Sequence, residues 1–341
     1  MRAIIIDAPG NVRVGSVPDP TPHPDEVVIR VEACGICGTD LHLIDGDSPL
    51  ARYPLVPGHE FAGEVVALGD NIARYSGSEA GVKVGSRVAI EPNLYCGRCE
   101  SCRTGHENLC FNYNAIGVTT NGALAEYVTV PASKAYVLPD TLSLREAALI
   151  EPLSCAVHGM HSLNLRSGDT ALIVGAGTMG MLLMQLIQRG GASRVAMVDL
   201  NVQRLARAEQ LGANRTYKNI RQALADEPRG FNCVIDATGV PAVIEQAFMA
   251  VKRGGKFMMF GVAPSDASVS LSPFRIYNEE ITVIGSMAVL FSFQAALDLI
   301  TGGIIDTRAM LTSALPLEDF QKALSQVRKG EGVKTLILPN A

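Results

Sequence analysis

The 341-residue chain is long enough for about two domains, each with its own core. Its 48% apolar and 18% charged residues exclude a disordered chain, and a net charge of −5 with no basic tract argues against nucleic acid or an anionic membrane as the main partner. No apolar run approaches the roughly 20 residues of a membrane span, and Met1–Asp7 is too soon interrupted for a signal peptide, so the expected location is cytoplasmic.

Taken in order, residues 1 to about 145 read as short strands broken by Pro and Gly: Arg2–Ile6, Val12–Val17, Glu26–Glu32, Glu64–Leu68, Arg87–Ile90 and Glu126–Val130. Turns such as Pro18-Asp19-Pro20 and Pro22-His23-Pro24 join them. Their β-branched content and close spacing predict a small barrel or folded sheet. From about residue 148 apolar strands alternate with helical stretches. Strands at Ala171–Val174, Val195–Val198, Arg215–Tyr217, Cys233–Asp236, Lys256–Phe260 and Ile281–Gly285, with helices at Val202–Leu211 and Pro241–Val251, predict an open, six-stranded parallel sheet. The remaining segment adds helices at Phe293–Ile300 and Leu317–Lys329 and a strand at Lys334–Leu338.

The stretch from Asp169 to Asp199 carries the first chemistry. The run Ala171–Val174 leads into Gly175-Ala176-Gly177-Thr178-Met179-Gly180, then a long apolar segment and a second strand ending on Asp199. The first glycine allows a tight turn, the second lets backbone approach a pyrophosphate, and the third lets helix and strand pack closely. The helix N-terminus offers unpaired N–H groups to the phosphates. A lone G-x-G-x-x-G is weak, but flanking strands and an acid at the expected distance point to a dinucleotide site. Asp199 would accept hydrogen bonds from the adenosine ribose and repel a 2′-phosphate, which favours NAD over NADP; Arg204 nearby is expected to stack on adenine or pair along the helix surface.

Eight cysteines could suggest a disulfide framework, yet four cluster within fifteen residues and no export signal accompanies them. Cys96, Cys99, Cys102 and Cys110 supply four thiolates in one loop, a closed shell for a structural zinc, although four cysteines can also hold an iron–sulfur cluster. A separate pair, Cys34 and Cys37, is by itself a redox pair or half a metal site. With His59 in Gly58-His59-Glu60 and Glu151 before Pro152, Cys37 completes a thiolate, imidazole and carboxylate set that leaves one position open, the arrangement of a catalytic zinc. Cys34 is read as a buried small hydrophobe.

These marks together resemble the zinc-dependent medium-chain alcohol/polyol dehydrogenases, nearly end to end. They are Cys37-Gly-Thr39-Asp-Leu-His42, Gly58-His59-Glu60 with Ala62-Gly63, the four-cysteine loop, Glu151-Pro152 and Gly175–Gly180. The resemblance implies an α/β protein in which a GroES-like β-barrel carries the catalytic zinc beside a Rossmann doubly wound parallel sheet for NAD. It also implies that the last segment rejoins the barrel, giving domains of 1–147 with 286–341, and 148–285. Glu151, rather than a cysteine, is similar to the sorbitol and polyol branch, where the carboxylate binds zinc directly or through water; Glu60 is an alternate or supporting ligand. The resemblance implies a proton relay through Thr39 and His42, which alone would read as a helix N-cap and a surface histidine. A homo-oligomer, dimer or tetramer, is expected.

Two departures narrow this. Residues 74–84 are longer than the usual link and predict an extra surface loop. Sorbitol dehydrogenases carry an arginine just after the glycine of the last Rossmann strand, whereas Gly285-Ser-Met-Ala288-Val-Leu has none, so the resemblance implies the reaction type rather than sorbitol itself. Other readings are a sugar-acid, polyol-phosphate or L-threonine dehydrogenase, and a cofactor-binding regulator without turnover. The last would have little need for an open metal site.

Overall fold

The computed structural model describes residues 1–75 and 81–341. Residues 76–80 of the expected 74–84 loop lie outside the described residues. The chain divides into two compact units, Met1–Ser154 with Val289–Thr301 and Leu311–Ala341, and Cys155–Ala288 with Gly302–Met310.

In the first unit, strands β1 (Arg2–Ala8) and β2 (Asn11–Ser16) form a hairpin. The main sheet is built on β3 (Glu26–Gly35), which pairs antiparallel with β4 (Glu60–Leu68). Strand β5 (Arg87–Ile90) extends it beyond β4, while β6 (Asn93–Leu94) and β7 (Asn114–Ala115) form a short neck. Strands β8 (Tyr127–Pro131) and β9 (Ala135–Val137) pair with β3 and β5. Register shifts at Val28/Ile29 and Val31/Ala33 bend β3, so that one strand can pair with several neighbours around a curved sheet. Ile4, Ile29, Phe61, Val65, Ile90 and Leu124 fill its core.

The second unit is a single sheet of six parallel strands: β10 (Thr170–Val174), β11 (Arg194–Val198), β12 (Arg215–Tyr217), β13 (Phe231–Asp236), β14 (Val251–Met259) and β15 (Thr282–Gly285). Their spatial order, β12-β11-β10-β13-β14-β15, reverses direction beside β10, which makes the sheet doubly wound. Interior strands buried on both faces need continuous apolar runs, and Ala171–Val174 and Val195–Val198 supply them. Phe248 and Phe257 meet edge to face, 5.6 Å between centroids, in the core on one side.

The chain then returns to the first unit through β16 (Leu311–Pro316) and β17 (Lys334–Leu338), and β17 pairs antiparallel with β3. The divisions differ from the expected 147/148 and 285/286. They fall inside the helix Ile150–Leu163 and after Ala288, and residues 302–310 belong to the second unit. That last piece is held there by polar contacts: Asp306 N donates to Gln185 Oε1 at 2.8 Å, and Arg207 Nη1 donates to the Ala309 carbonyl at 2.8 Å. Two local expectations also shift. The helix from Pro241 ends at Met249, since Val251 already pairs with Phe231 in the sheet. Leu317–Asp319 is a 3-10 turn, and the α-helix runs over Phe320–Arg328.

Gly180 tests how tightly the glycine turn is packed, because a Cβ there would lie 1.8 Å from the Gly175 carbonyl oxygen. Gly180→Ala is expected to destabilise the protein by on the order of 1–3 kcal/mol. Gly285→Ala, where nothing lies within 4 Å of the added carbon, should stay within about 0.5 kcal/mol. Urea unfolding midpoints of the two variants make the comparison.

Candidate active site

Register brings the first set of metal donors together. Gly35 at the end of β3 pairs with Glu60 on one side and with Leu336 of β17 on the other. A Cβ on residue 35 would lie 2.5 Å from both Glu60 Oε2 and Lys334 Cε, so glycine opens the space for these two side chains. Lys334 and Glu60 form an ion pair in which each side chain is 2% exposed, and Lys334 Nζ donates a second hydrogen bond to the Ile36 carbonyl at 3.0 Å. Burial opposes the Lys334 charge, but Glu60, Cys37 and Asp40 outweigh it and hold its pKa above the ordinary value.

Cys37 follows β3 and begins the helix Gly38–Asp45; its N–H donates to Asp40 Oδ2 at 2.8 Å. His59 follows Gly58, whose φ of 99° suits glycine alone among common residues. Added carbons at Gly117 and Gly122 would lie 2.2 and 2.3 Å from the Gly58 carbonyl oxygen, so a close glycine contact fixes the turn that presents His59. Ligand atoms of Cys37, His59 and Glu60 lie within 4.8 Å of one another. Asp40 Oδ1 sits 3.7 Å from His59 Nδ1, and both atoms are buried without a hydrogen-bond partner among the described residues. Burial alone would keep His59 neutral, yet Cys37, Asp40 and Glu151 outweigh it and push its pKa well above the usual imidazole value. The donors are of the types zinc takes. A divalent cation fits the site.

Glu151, in the first turn of the helix Ile150–Leu163, is buried and close enough to act electrostatically on His59, but it is not in the 4.8 Å set. Thr39 Oγ1 lies 3.8 Å from Cys37 Sγ. His42 is half-exposed, with Nδ1 2.9 Å from Asp47 Oδ1. Cys34 stands apart in the barrel core, where burial pushes its thiol pKa well up.

The four cysteines of the loop, 96, 99, 102 and 110, also converge within 4.8 Å. Sulfur separations of 3.4 Å for Cys99–Cys102, 3.6 Å for Cys96–Cys110 and 3.8 Å for Cys99–Cys110 are far too long for disulfides. A tetrahedron with Zn–S bonds of ~2.3 Å has edges of ~3.8 Å, close to these values. Several iron atoms between the sulfurs would spread them farther. Backbone N–H groups of Arg98 and Cys99 hold the Cys96 thiol down to about 6, so one thiolate is available near neutrality. A single zinc ion fits here too.

In the second unit Gly175 takes φ 107° and Gly177 caps the helix Thr178–Arg189, so Thr178, Met179 and Gly180 form its first turn. Asp199 Oδ2 accepts from Ala176 N and Oδ1 from Asn201 N, each at 2.7 Å, which holds the carboxylate against the glycine turn. Arg204 Nη1 would be 3.9 Å from a Cβ on Gly177, so the guanidinium reaches the same turn.

Comparison with known proteins agrees with this geometry. Residues 23–140 match the alcohol dehydrogenase GroES-like domain, and residues 178–302 match the zinc-binding dehydrogenase domain. The whole chain is 33% identical to D-arabinitol dehydrogenase 1 of Uromyces fabae, covering 97% of that protein. The chain belongs to the zinc-binding dehydrogenases. Sorbitol dehydrogenase of Bacillus subtilis (strain 168) is 32% identical over all of this chain and 98% of its own length. An NADP-bound crystal structure of a zinc-binding dehydrogenase from Sinorhizobium meliloti 1021 superposes with a TM-score of 0.91 at 34% identity, covering 99% of each chain. The GroES-like and Rossmann-type architecture is thus that of the medium-chain zinc dehydrogenases.

Two residues of this zinc-binding dehydrogenase's site escape a reading of the sequence. Asp40 has a local signal, an acid three positions after the residue that opens a helix. Lys334 has none, because a lysine in a short strand gives no hint that it meets a carboxylate 274 residues away. Lys334→Met should destabilise the protein by ~3–5 kcal/mol, because Glu60 is left buried and charged. Adding Glu60→Gln should recover most of that loss in urea unfolding. Equal losses in the single and double variants would mean that packing of the lysine stem, not charge, carries the effect.

Proposed function

We propose that this enzyme oxidises a secondary alcohol of a polyol or sugar-derived substrate to a ketone with NAD⁺, using a catalytic zinc and a separate structural zinc. The observation that carries the reading is the convergence of Cys37, His59 and Glu60, with Glu151 nearby, as thiol, imidazole and carboxylate donors of the types zinc takes. The chemistry supplied there by zinc is Lewis-acid activation of an alcohol hydroxyl, and that supplied by the nicotinamide is acceptance of a hydride. Cys37 and His59 are the fixed ligands. Glu151 and Glu60 share the carboxylate role, with Lys334 restraining Glu60. Thr39 Oγ1 would take the substrate's hydroxyl proton while releasing its own to a cofactor hydroxyl, and the half-exposed ring of His42, oriented by Asp47, would take a proton from that hydroxyl and release one to solvent.

The glycine turn with Thr178 and Met179 cradles the pyrophosphate, and Asp199 faces the adenosine ribose. That carboxylate supports NAD⁺ over NADP⁺, although the Sinorhizobium meliloti relative is bound to NADP. The substrate class rests on the arabinitol and sorbitol dehydrogenases among the relatives and on Glu151, a carboxylate that would help hold the zinc where a cysteine could stand. Ala288, where sorbitol dehydrogenases carry arginine, favours a chain length or stereochemistry other than sorbitol's. The protein acts in the cytoplasm as a homo-oligomer, a dimer or tetramer. Among the described residues no helix is long and apolar enough to cross a membrane.

Turnover of four- to six-carbon polyols and of the matching mono-alcohols, followed as reduced cofactor, tests the substrate class. Higher kcat/KM for the polyols is expected; preference for mono-alcohols or restriction to threonine would overturn it. Asp199→Ala should erase the preference for NAD⁺ over NADP⁺, and equal use of both by the unaltered enzyme would defeat that assignment. Metal analysis separates the two centres. Cys37→Ser should abolish activity with little change in melting temperature, whereas Cys99→Ser should lower the melting temperature, because closed thiolate sites contribute folding free energy.

A further inference from the structure

Asp236, at the end of β13, is fully buried in the second unit and gathers two loops around itself. Its Oδ1 accepts from Thr238 Oγ1 at 2.6 Å and from Thr238 N at 3.1 Å, and its Oδ2 accepts from Gly239 N at 3.0 Å. Thr238 Oγ1 in turn accepts from Val240 N at 3.1 Å, just before the helix Pro241–Met249. The Asp236 carbonyl accepts from Phe260 N at 3.0 Å and from Gly261 N at 2.9 Å, so the loop after β14 hangs on the same residue. A carboxyl group taken out of water costs stability unless donors meet it, and here three do.

Both loops border the glycine turn. Ala237 N donates to the Val174 carbonyl at 2.8 Å, and a Cβ on Gly175 would lie 3.0 Å from Thr238 Cγ2 and 3.2 Å from the Ala237 carbonyl. Gly239 takes φ 68°, and a Cβ there would lie 2.1 Å from the Val262 carbonyl oxygen, so the loops after β13 and β14 meet backbone to backbone. Strands β10 and β13 are neighbours where the strand order reverses, and a doubly wound sheet binds its ligand outside the carboxyl ends of its strands at that point. Asp199 follows β11 on one side of β10, whereas β13 and β14 lie on the other. A dinucleotide with its pyrophosphate on the glycine turn and its adenosine ribose at Asp199 must therefore send its other nucleoside toward β13 and β14. Val240 and Val262, one on each of these loops, are exposed apolar side chains that a ring can cover.

We propose that Asp236 is a positioning residue for the nicotinamide half of the cofactor. By holding residues 237–240 and 260–262 beside the glycine turn, it fixes the surface on which that half rests, and Thr238 carries the hold on to Val240. The proposal rests on the reading of Asp199 as the adenosine end of the site. Asp236 acts through the loops and has no need to touch the cofactor. Asp236→Asn keeps the side chain's shape but turns an amide N–H against a backbone N–H, donor against donor. Thr238→Val keeps a methyl group against Gly175 but removes the hydroxyl between Asp236 and Val240.

The test uses the full enzyme without any alcohol, comparing Asp236→Asn, Thr238→Val and Thr238→Ser with the unaltered chain. Calorimetry measures binding of NADH, which carries both halves of the dinucleotide, and of ADP, which carries only the adenosine half and the pyrophosphate. Hydrogen exchange of a peptide covering 236–241 is followed in the same samples. Expected are an NADH Kd raised about tenfold in Asp236→Asn and about threefold in Thr238→Val, an ADP Kd within about twofold of the unaltered value, and faster exchange in both variants. Thr238→Ser, which keeps the hydroxyl, should bind NADH like the unaltered enzyme. Equal weakening of NADH and ADP overturns the proposal, because it marks general damage to the turn; unaltered NADH binding or unaltered exchange overturns it as well. If Asp236→Asn does not fold, Thr238→Val and Thr238→Ser decide by the same criteria. Failure of the Asp199 reading shows separately, as unaltered ADP binding in Asp199→Ala.

Discussion

The ion pair between Lys334 and Glu60 fixes where the metal donors of the first unit meet its sheet. It joins β17 to β4 across the bare backbone of Gly35 in β3, so three strands from distant parts of the sequence meet at one buried point. A buried pair of this kind need not stabilise a fold relative to apolar residues of the same volume. Its consequence here is placement. Glu60 follows His59 and faces Cys37, so the carboxylate that the lysine restrains is itself a potential metal donor. The charge balance of the pocket and the closure of the sheet are one arrangement.

The two sets of candidate metal donors are built on opposite plans. The four-cysteine site comes from a single loop of fifteen residues, closed at its base by the short pairing of β6 with β7. Its geometry needs little from the rest of the chain. The other set takes Cys37 from the turn between β3 and a helix and His59 and Glu60 from the start of β4, with Glu151, outside the set, on a helix far along the sequence. A local loop suits a centre whose task is cohesion. A site assembled from separate elements can keep one side open, which chemistry requires.

Legibility in the sequence follows the same division. The glycine turn, its strands and Asp199 were readable because a βαβ unit is a local object with a fixed order of parts. The four-cysteine loop was readable for the same reason. Cys37, His59 and Glu151 could be joined by their donor chemistry, a thiolate, an imidazole and a carboxylate, but no periodicity relates residues so far apart, and the resemblance added their roles. Lys334 remained silent: its meaning lies in the register of β17 against β3, and the short run Lys334–Leu338 does not encode that register. Strand β16 was also missed, because its sequence Leu-Thr-Ser-Ala-Leu-Pro lacks the apolar/polar alternation that marks a strand facing one core. The shift of 302–310 into the second unit depends on Gln185 and Arg207, polar contacts that hydrophobic patterning does not register.

The position of β17 has a further consequence for how the protein is made. Glu60 and its partner Lys334 are 274 residues apart, and the whole parallel sheet lies between them. At about 5–20 residues per second of synthesis, Glu60 emerges from the ribosome roughly 15–55 s before the lysine that neutralises it. The parallel sheet can close during that interval, while the barrel holds an open edge and an unmatched carboxylate. The pairing of β17 with β3 and the contact of Lys334 with Glu60 are therefore among the last features of the molecule to form.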